Sequence, residues 1–179
     1  MGIVAIAILI MIPDVVEYAQ ERLLSWRDPF ADPRDSGFQT IQSLFAIGSG
    51  GLMGVGIGNS RQKYLYLPEP QNDFIFSIVC EELGFVGASL ILILFALLVW
   101  RGFVIGMRCK DRFGALVAVG LTAQVGLQTI LNIMVVTNTI PNTGVSLPFF
   151  SYGGSSLVML LCQMGVVLAI SRQATMEKI

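Results

Sequence analysis

The chain has 179 residues, of which 54% are hydrophobic and only 13% charged, and its mean hydropathy is +0.74. Soluble domains carry about a quarter charged residues, so this composition points to a membrane protein. A formal net charge of −1 speaks against a nucleic-acid surface, and the absence of histidine speaks against imidazole catalysis or imidazole metal ligation.

The first segment, GIVAIAILIMI at residues 2–12, is apolar but too short to cross a bilayer alone. It has no basic leader and no A-x-A cleavage site follows it, so residues 1–13 are read as the end of a transmembrane helix that begins outside this sequence. After Pro13, the run DVVEYAQERLLSW keeps Val15, Val16, Ala19, Leu23 and Trp26 at helical spacing, with Glu17, Glu21 and Arg22 opposite. That pattern suits a helix lying on or extending past the membrane surface. DPFADPRDSG then interrupts regular structure with two Asp-Pro steps and a glycine. FQTIQSLFAIG resumes a helical pattern, with Phe38, Ile41, Leu44 and Phe45 on one side and Gln39, Gln42 and Ser43 on the other, which suggests a second interfacial helix.

The glycine-rich IGSGGLMGVGIGNS contains neither G-x-G-x-x-G nor G-x-x-x-x-G-K-[ST], so it is no phosphate cradle. Close backbone packing or turning at the membrane edge is the expected use of these glycines. SRQKYLYLPEPQNDFIF follows, with the cations Arg61 and Lys63 and then Glu69 between Pro68 and Pro70. The two prolines impose an extended path and hold Glu69 stiffly near Asp73. Asp73 stands directly against Phe74, Ile75 and Phe76, where a carboxylate is costly unless solvated, paired or used.

Three later windows, 83–100, 113–137 and 152–171, contain no Asp, Glu, Lys or Arg, and each approaches the roughly 20 residues that a spanning helix needs. The expected fold class is an all-α integral membrane protein, a polytopic helical bundle with spans at 74–107, 113–137 and 152–171. Within the second, Gln124, Gln128 and Asn132 recur every fourth residue, which suits hydrogen bonding between helices or the polar wall of a cavity. The 138–151 connection holds two prolines and a glycine and is compatible with a re-entrant loop, which survives at the membrane only when buried in protein or lining a cavity.

Arg101, Arg108, Lys110 and Arg112 surround the connection at 108–112, and Arg172 and Lys178 lie in or beside the tail at 172–179. By the positive-inside tendency both are expected in the cytoplasm. Residues 14–73, with five basic and eight acidic side chains, are then extracytoplasmic, as is 138–151. That topology leaves Cys80, Cys109 and Cys162 without a disulfide framework.

Two long stretches, DPFADPRDSGFQTIQSLFAIGSGGLMGVGIGNSRQKYLYLPEPQNDFIFSIVCEELGFVG and IPNTGVSLPFFSYGGSS, resemble the C-terminal half of the FtsW/RodA/SpoVE family, also called SEDS proteins. The wording SRQKYLYLPEPQ is closer to the FtsW/SpoVE branch. The resemblance implies peptidoglycan glycan-strand synthesis from lipid II at the outer face of the bacterial cytoplasmic membrane. It also implies a class B penicillin-binding transpeptidase and other division or sporulation membrane proteins as partners, and no nucleic acid. The family's essential aspartate falls on Asp73. Asn72 stands where the family commonly has Thr, and Asn142 where an apolar residue is usual in I-P-x-T-G.

In such a reaction a sugar hydroxyl must lose its proton to a base, and Asp73 is the candidate. Arg61, Lys63, Glu69, Gln42 and Ser155 are candidates for holding sugar or pyrophosphate, with a divalent cation such as Mg or Mn a further source of positive charge. Asp73 also suits a helix N-cap, a role compatible with proton transfer. Glu81 and Glu82 are expected to face interfacial water or pair with loop cations, or else to line the cavity. A lipid II flippase and a non-catalytic scaffold for a transpeptidase are the alternative readings.

Overall fold

The computed structural model describes residues 22–31, 37–60 and 73–176, which are helical with no strand among them. The span end expected at 1–13, the start of the surface helix up to residue 21, and the 61–72 stretch with Arg61, Lys63, Glu69 and Asn72 lie outside the described residues. Residues 22–27 form a short helical stretch. Four longer helices follow: α1 (Phe38–Gly50), α2 (Ile75–Arg108), α3 (Arg112–Val136) and α4 (Gly154–Met176). Three of them are long and apolar enough to cross a membrane, namely α2, α3 and the Gly154–Arg172 part of α4.

A straight 34-residue helix would be roughly 51 Å long, well beyond about 30 Å of hydrocarbon. Instead α2 is broken at Gly84, whose φ of 67° and ψ of −171° are non-helical. Before the break its side chains are enclosed, with Phe76, Ser77, Ile78, Cys80 and Glu81 all buried. Beyond it, Leu90, Ile93, Leu94, Leu97 and Trp100 are exposed, as suits a face turned to lipid.

Breaking a helix frees carbonyls on one side and N–H groups on the other, and each must be bonded again. The glycine-rich segment after α1 supplies all four partners. Val55 N–H donates to Glu81 O (3.0 Å) and Gly56 N–H to Glu82 O (3.1 Å). In return Phe85 N–H donates to Gly51 O (2.9 Å) and Val86 N–H to Leu52 O (3.2 Å). The two backbones lie so close that a Cβ on Gly54 (φ 78°) would stand 2.2 Å from Glu82 O. One on Gly84 would stand 2.3 Å from Gly54 N. The glycine run therefore serves close backbone packing.

The same proximity decides which face of α1 is buried. Its buried face is Thr40, Ile41, Ser43, Ala46 and Gly50, whereas Phe45 is 53% exposed. Small side chains let α1 lie close against α2, so bulk is excluded from that face and Phe45 is turned outward. Ser43 and Ser77, both wholly buried, hydrogen-bond at 2.9 Å, and Ser43 also donates to Val136 O, joining α1, α2 and α3.

The turn into α3 is tight because Asp111 accepts from Gly114 N–H at 2.8 Å, a side-chain N-cap. Small residues again permit close contact between α2 and α3: positions where side chains would sit on Gly102 and Gly106 fall on Thr122 and Val119. This G-x-x-x-G spacing is a frequent device in membranes, where lipid removes most of the hydrophobic drive for helix association. A core of Phe74, Phe76, Ala88, Phe95, Val136 and Leu147 gathers where α2, α3 and the loop before α4 meet.

Replacing Gly54 by Ala combines a left-handed backbone with a main-chain clash and is expected to destabilise the fold by about 2–3 kcal/mol. At Gly48, where nothing lies within 4 Å, the same change in mid-helix should be neutral or stabilise by up to about 1 kcal/mol. Unfolding transitions of the two variants in one detergent compare them directly.

Candidate functional site

Phe74 occupies the N-cap position of α2, with no side-chain cap hydrogen bond, so Asp73 stands one residue outside the helix and is not its N-cap. Asp73 is partly exposed, while its neighbours Phe74 and Phe76 are 3% and 4% exposed. The carboxylate therefore lies at the margin between the packed interior and open space. Its Oδ2 is 3.5 Å from the point where a Cβ would stand on Gly144, so it lies beside the backbone of the loop joining α3 to α4.

That loop descends into the bundle. Asn132, wholly buried on α3, donates through Nδ2 to Asp73 O (2.8 Å) and to Val145 O (2.7 Å). One turn deeper, Gln128 Nε2 donates to Ser146 O at 3.1 Å. Leu147 and Pro148 are then fully buried, and the rings of Phe149 and Phe150 lie 6.4 and 6.1 Å from that of Phe95. Gln128 sits eight residues before the end of α3, which places Ser146 roughly 12 Å down the helix. The loop folds back along α3. Ser151 closes its tip, its hydroxyl accepting from Leu147 N–H at 2.7 Å.

The polar stripe on α3 is thus used for structure at each of its three levels. Gln124 accepts from Gln163 of α4 (3.4 Å), and the two residues above it hold successive carbonyls of the loop. Its role as interhelical glue extends to irregular backbone, which at this depth needs partners of its own.

Near the rim, Asn142 accepts from Gly144 N–H (3.1 Å) and its amide reaches Gln39 of α1 at 3.4 Å. Arg22 donates to Asn142 O at 2.6 Å, and Trp26 and Asn138 exchange side-chain to backbone hydrogen bonds. The residue that departs from the apolar norm therefore braces the turn beside Asp73. Its contacts tie the 22–27 stretch, α1 and the α3–α4 loop together.

Of the other residues singled out by sequence, Gln42 is half-buried on α1 and Ser155 is exposed in the first turn of α4. No hydrogen bond joins either to Asp73 among the described residues. Arg61, Lys63 and Glu69 lie outside the described residues. Glu81 is only 2% exposed and accepts a hydrogen bond from Ser60, so it is enclosed where water was one expectation. The break in α2 turns this face toward the returning loop, and burial follows. Ser60 and Asp73 flank the 61–72 stretch, and both are anchored on described helices. Ser60, Asn132 and Arg22 were not proposed for the site from sequence; Asn132 belonged to the four-residue stripe and Arg22 to the polar face of an amphipathic helix, and Ser60 to no visible pattern.

Apolar helices with a loop folded back among them beside one partly exposed carboxylate define a multi-pass membrane protein with a polar site at one end of its spans. The family described as cell cycle protein, FtsW/RodA/SpoVE, matches residues 1–176, and the chain belongs to that family. Stage V sporulation protein E of Bacillus subtilis is 55% identical over 155 residues, covering 87% of this chain and 42% of that protein. The probable peptidoglycan glycosyltransferase FtsW of Geobacter sulfurreducens is 43% identical over 171 residues, covering 96% of this chain and 46% of that one. A solved structure from work on polymerization and crosslinking by a peptidoglycan synthase complex contains a chain with a TM-score of 0.67 and 32% identity. That match covers 97% of this chain and 48% of the other, so the chain spans just under half the length of these relatives.

Gln128→Leu removes the donor that holds Ser146. Hydrogen exchange at residues 145–151 should then accelerate roughly fivefold to tenfold, the equivalent of about 1 kcal/mol for one net hydrogen bond, while α1 stays as protected as before.

Proposed function

We propose that the protein containing this chain is a peptidoglycan glycosyltransferase that polymerises lipid II, with Asp73 as its general base. The observation that carries the reading is the setting of Asp73: a partly exposed carboxylate against buried aromatic side chains, with its main chain held by a buried amide. Family membership supports it, as do relatives named as glycosyltransferases and the resemblance to a chain of a peptidoglycan synthase complex.

In the reaction, the Asp73 carboxylate takes the proton from the 4-hydroxyl of the acceptor sugar. The resulting oxygen nucleophile attacks the anomeric carbon of the donor, the new glycosidic C–O bond forms, and the bond to the lipid pyrophosphate breaks. The pyrophosphate leaves with both bonding electrons, Asp73 releases its proton to water, and the anomeric centre is inverted. The leaving group carries its own charge and needs no acid, and Arg61 and Lys63 are the proposed cations that meet it.

A divalent ion, Mg or Mn, would neutralise that same charge. Among the described residues no three His, Cys, Asp or Glu side chains gather to hold one, so these residues do not by themselves fit an ion. We place the site on the extracytoplasmic face of the bacterial cytoplasmic membrane. The exposed Arg101, Arg108, Lys110 and Arg112 at the α2–α3 turn support a cytoplasmic position for the opposite end. A class B penicillin-binding transpeptidase is the proposed partner, since new strands must be crosslinked.

The test uses the full-length protein in liposomes supplied with lipid II. Asp73→Ala and Asp73→Asn should each lower polymer formation by about 10²–10⁴-fold, with the unfolding transition unchanged. Polymerisation at the wild-type rate in either variant would sink the reading. Lipid II translocation that needs no Asp73, without any polymer in the wild type, would replace it with the flippase.

A further inference from the structure

We infer that Asn132 is a positioning residue for this site, which fastens Asp73 and the α3–α4 loop to each other through one side-chain amide. The inference rests on the glycosyltransferase reading above and adds to it a residue that lies inside a membrane-spanning helix.

The geometry is specific. Asn132 has no solvent exposure, and its single NH₂ group spans two main-chain carbonyls, Asp73 O at 2.8 Å and Val145 O at 2.7 Å. Carbonyls can only accept, so the amide must present nitrogen to both. Its own Oδ1 is buried and makes no hydrogen bond among the described residues, so nothing competes to turn the amide over. An unsatisfied buried acceptor is a cost, and here it accompanies two donors spent on irregular backbone.

Both carbonyls belong to residues next to the chemistry. Asp73 O is on the residue proposed as base, and Val145 follows Gly144, the residue beside the Asp73 carboxylate. The Ser43–Ser77 and Ser43–Val136 bonds lie one turn along α2 and fix helix to helix, whereas Asn132 bonds the residue before α2 begins. Loss of the amide would leave α1, α2 and α3 joined while removing the one side chain that bonds both Asp73 O and Val145 O. A base displaced by about 1 Å can lose on the order of 10²-fold in rate.

The positioning role thus predicts a defect in turnover and little in binding. In the full-length protein, Asn132→Leu matches the side chain in size and removes both donors, and Asn132→Ser removes them while leaving a smaller polar group. Each should lower kcat for lipid II polymerisation by about 30-fold to 100-fold and leave KM for lipid II within about threefold. Whichever variant keeps the wild-type unfolding transition is the one read, and Asn132→Gln, which retains the NH₂ donors, should recover part of the lost kcat. A kcat within twofold of wild type in a folded Leu or Ser variant would overturn the inference, as would a loss confined to KM. Asp73→Ala run alongside separates the two ideas. Full activity there refutes the base, while loss there with full activity at 132 refutes only the positioning role.

Discussion

Main-chain polar groups that leave helical geometry near lipid must find new partners, and that constraint organises everything at this end of the molecule. The break at Gly84 frees two carbonyls and two N–H groups, and the strand of chain after α1 bonds all four. Without this exchange α2 would run straight and carry its first turns away from α1. With it, the enclosed portion of α2 turns to meet Ser43 and Val136, and Asp73 arrives beside the α3–α4 loop. The rule applies a second time inside the bundle, where Asn132 and Gln128 take up loop carbonyls at successive turns of α3. Buried amides thus do for the loop what backbone does for the broken helix.

Much of this was legible in the sequence, because lipid imposes a plain code. Uncharged windows of about twenty residues marked the three membrane-capable helices, and the four-residue repeat of Gln124, Gln128 and Asn132 marked the face of α3 that does polar work. The glycine run signalled close backbone approach, though not against which element. The partner was hidden because Gly84 lies within an apolar stretch that reads as continuous helix, and only tertiary contact shows where the helix is cut. The helical pattern of α1 was legible, but not which face it buries, because a helix lying close to another backbone buries small residues such as Ser43 and turns bulk such as Phe45 outward.

Site residues follow the same division. Asp73 was conspicuous because a carboxylate beside Phe-Ile-Phe demands an explanation, and its setting is now specified by Phe74, Phe76, Gly144 and Asn132. Asn142 was visible as a departure from an apolar norm, and its contacts with Gly144, Gln39 and Arg22 explain what a polar side chain does there. Glu81 could not be assigned from pattern, since its burial depends on Ser60 returning across the break. Contacts that join residues more than a hundred positions apart, such as Arg22 to Asn142, leave no local trace in a sequence.

The central claim is that Asp73 removes a proton in a single displacement and never bonds to sugar. Rapid quenching of the full-length protein during lipid II turnover, followed by mass spectrometry of the peptide containing Asp73, tests this directly. The account predicts an unmodified peptide at every time point while inverted polymer accumulates. A transient glycosyl ester on Asp73, formed and consumed at the rate of polymer growth, would contradict it.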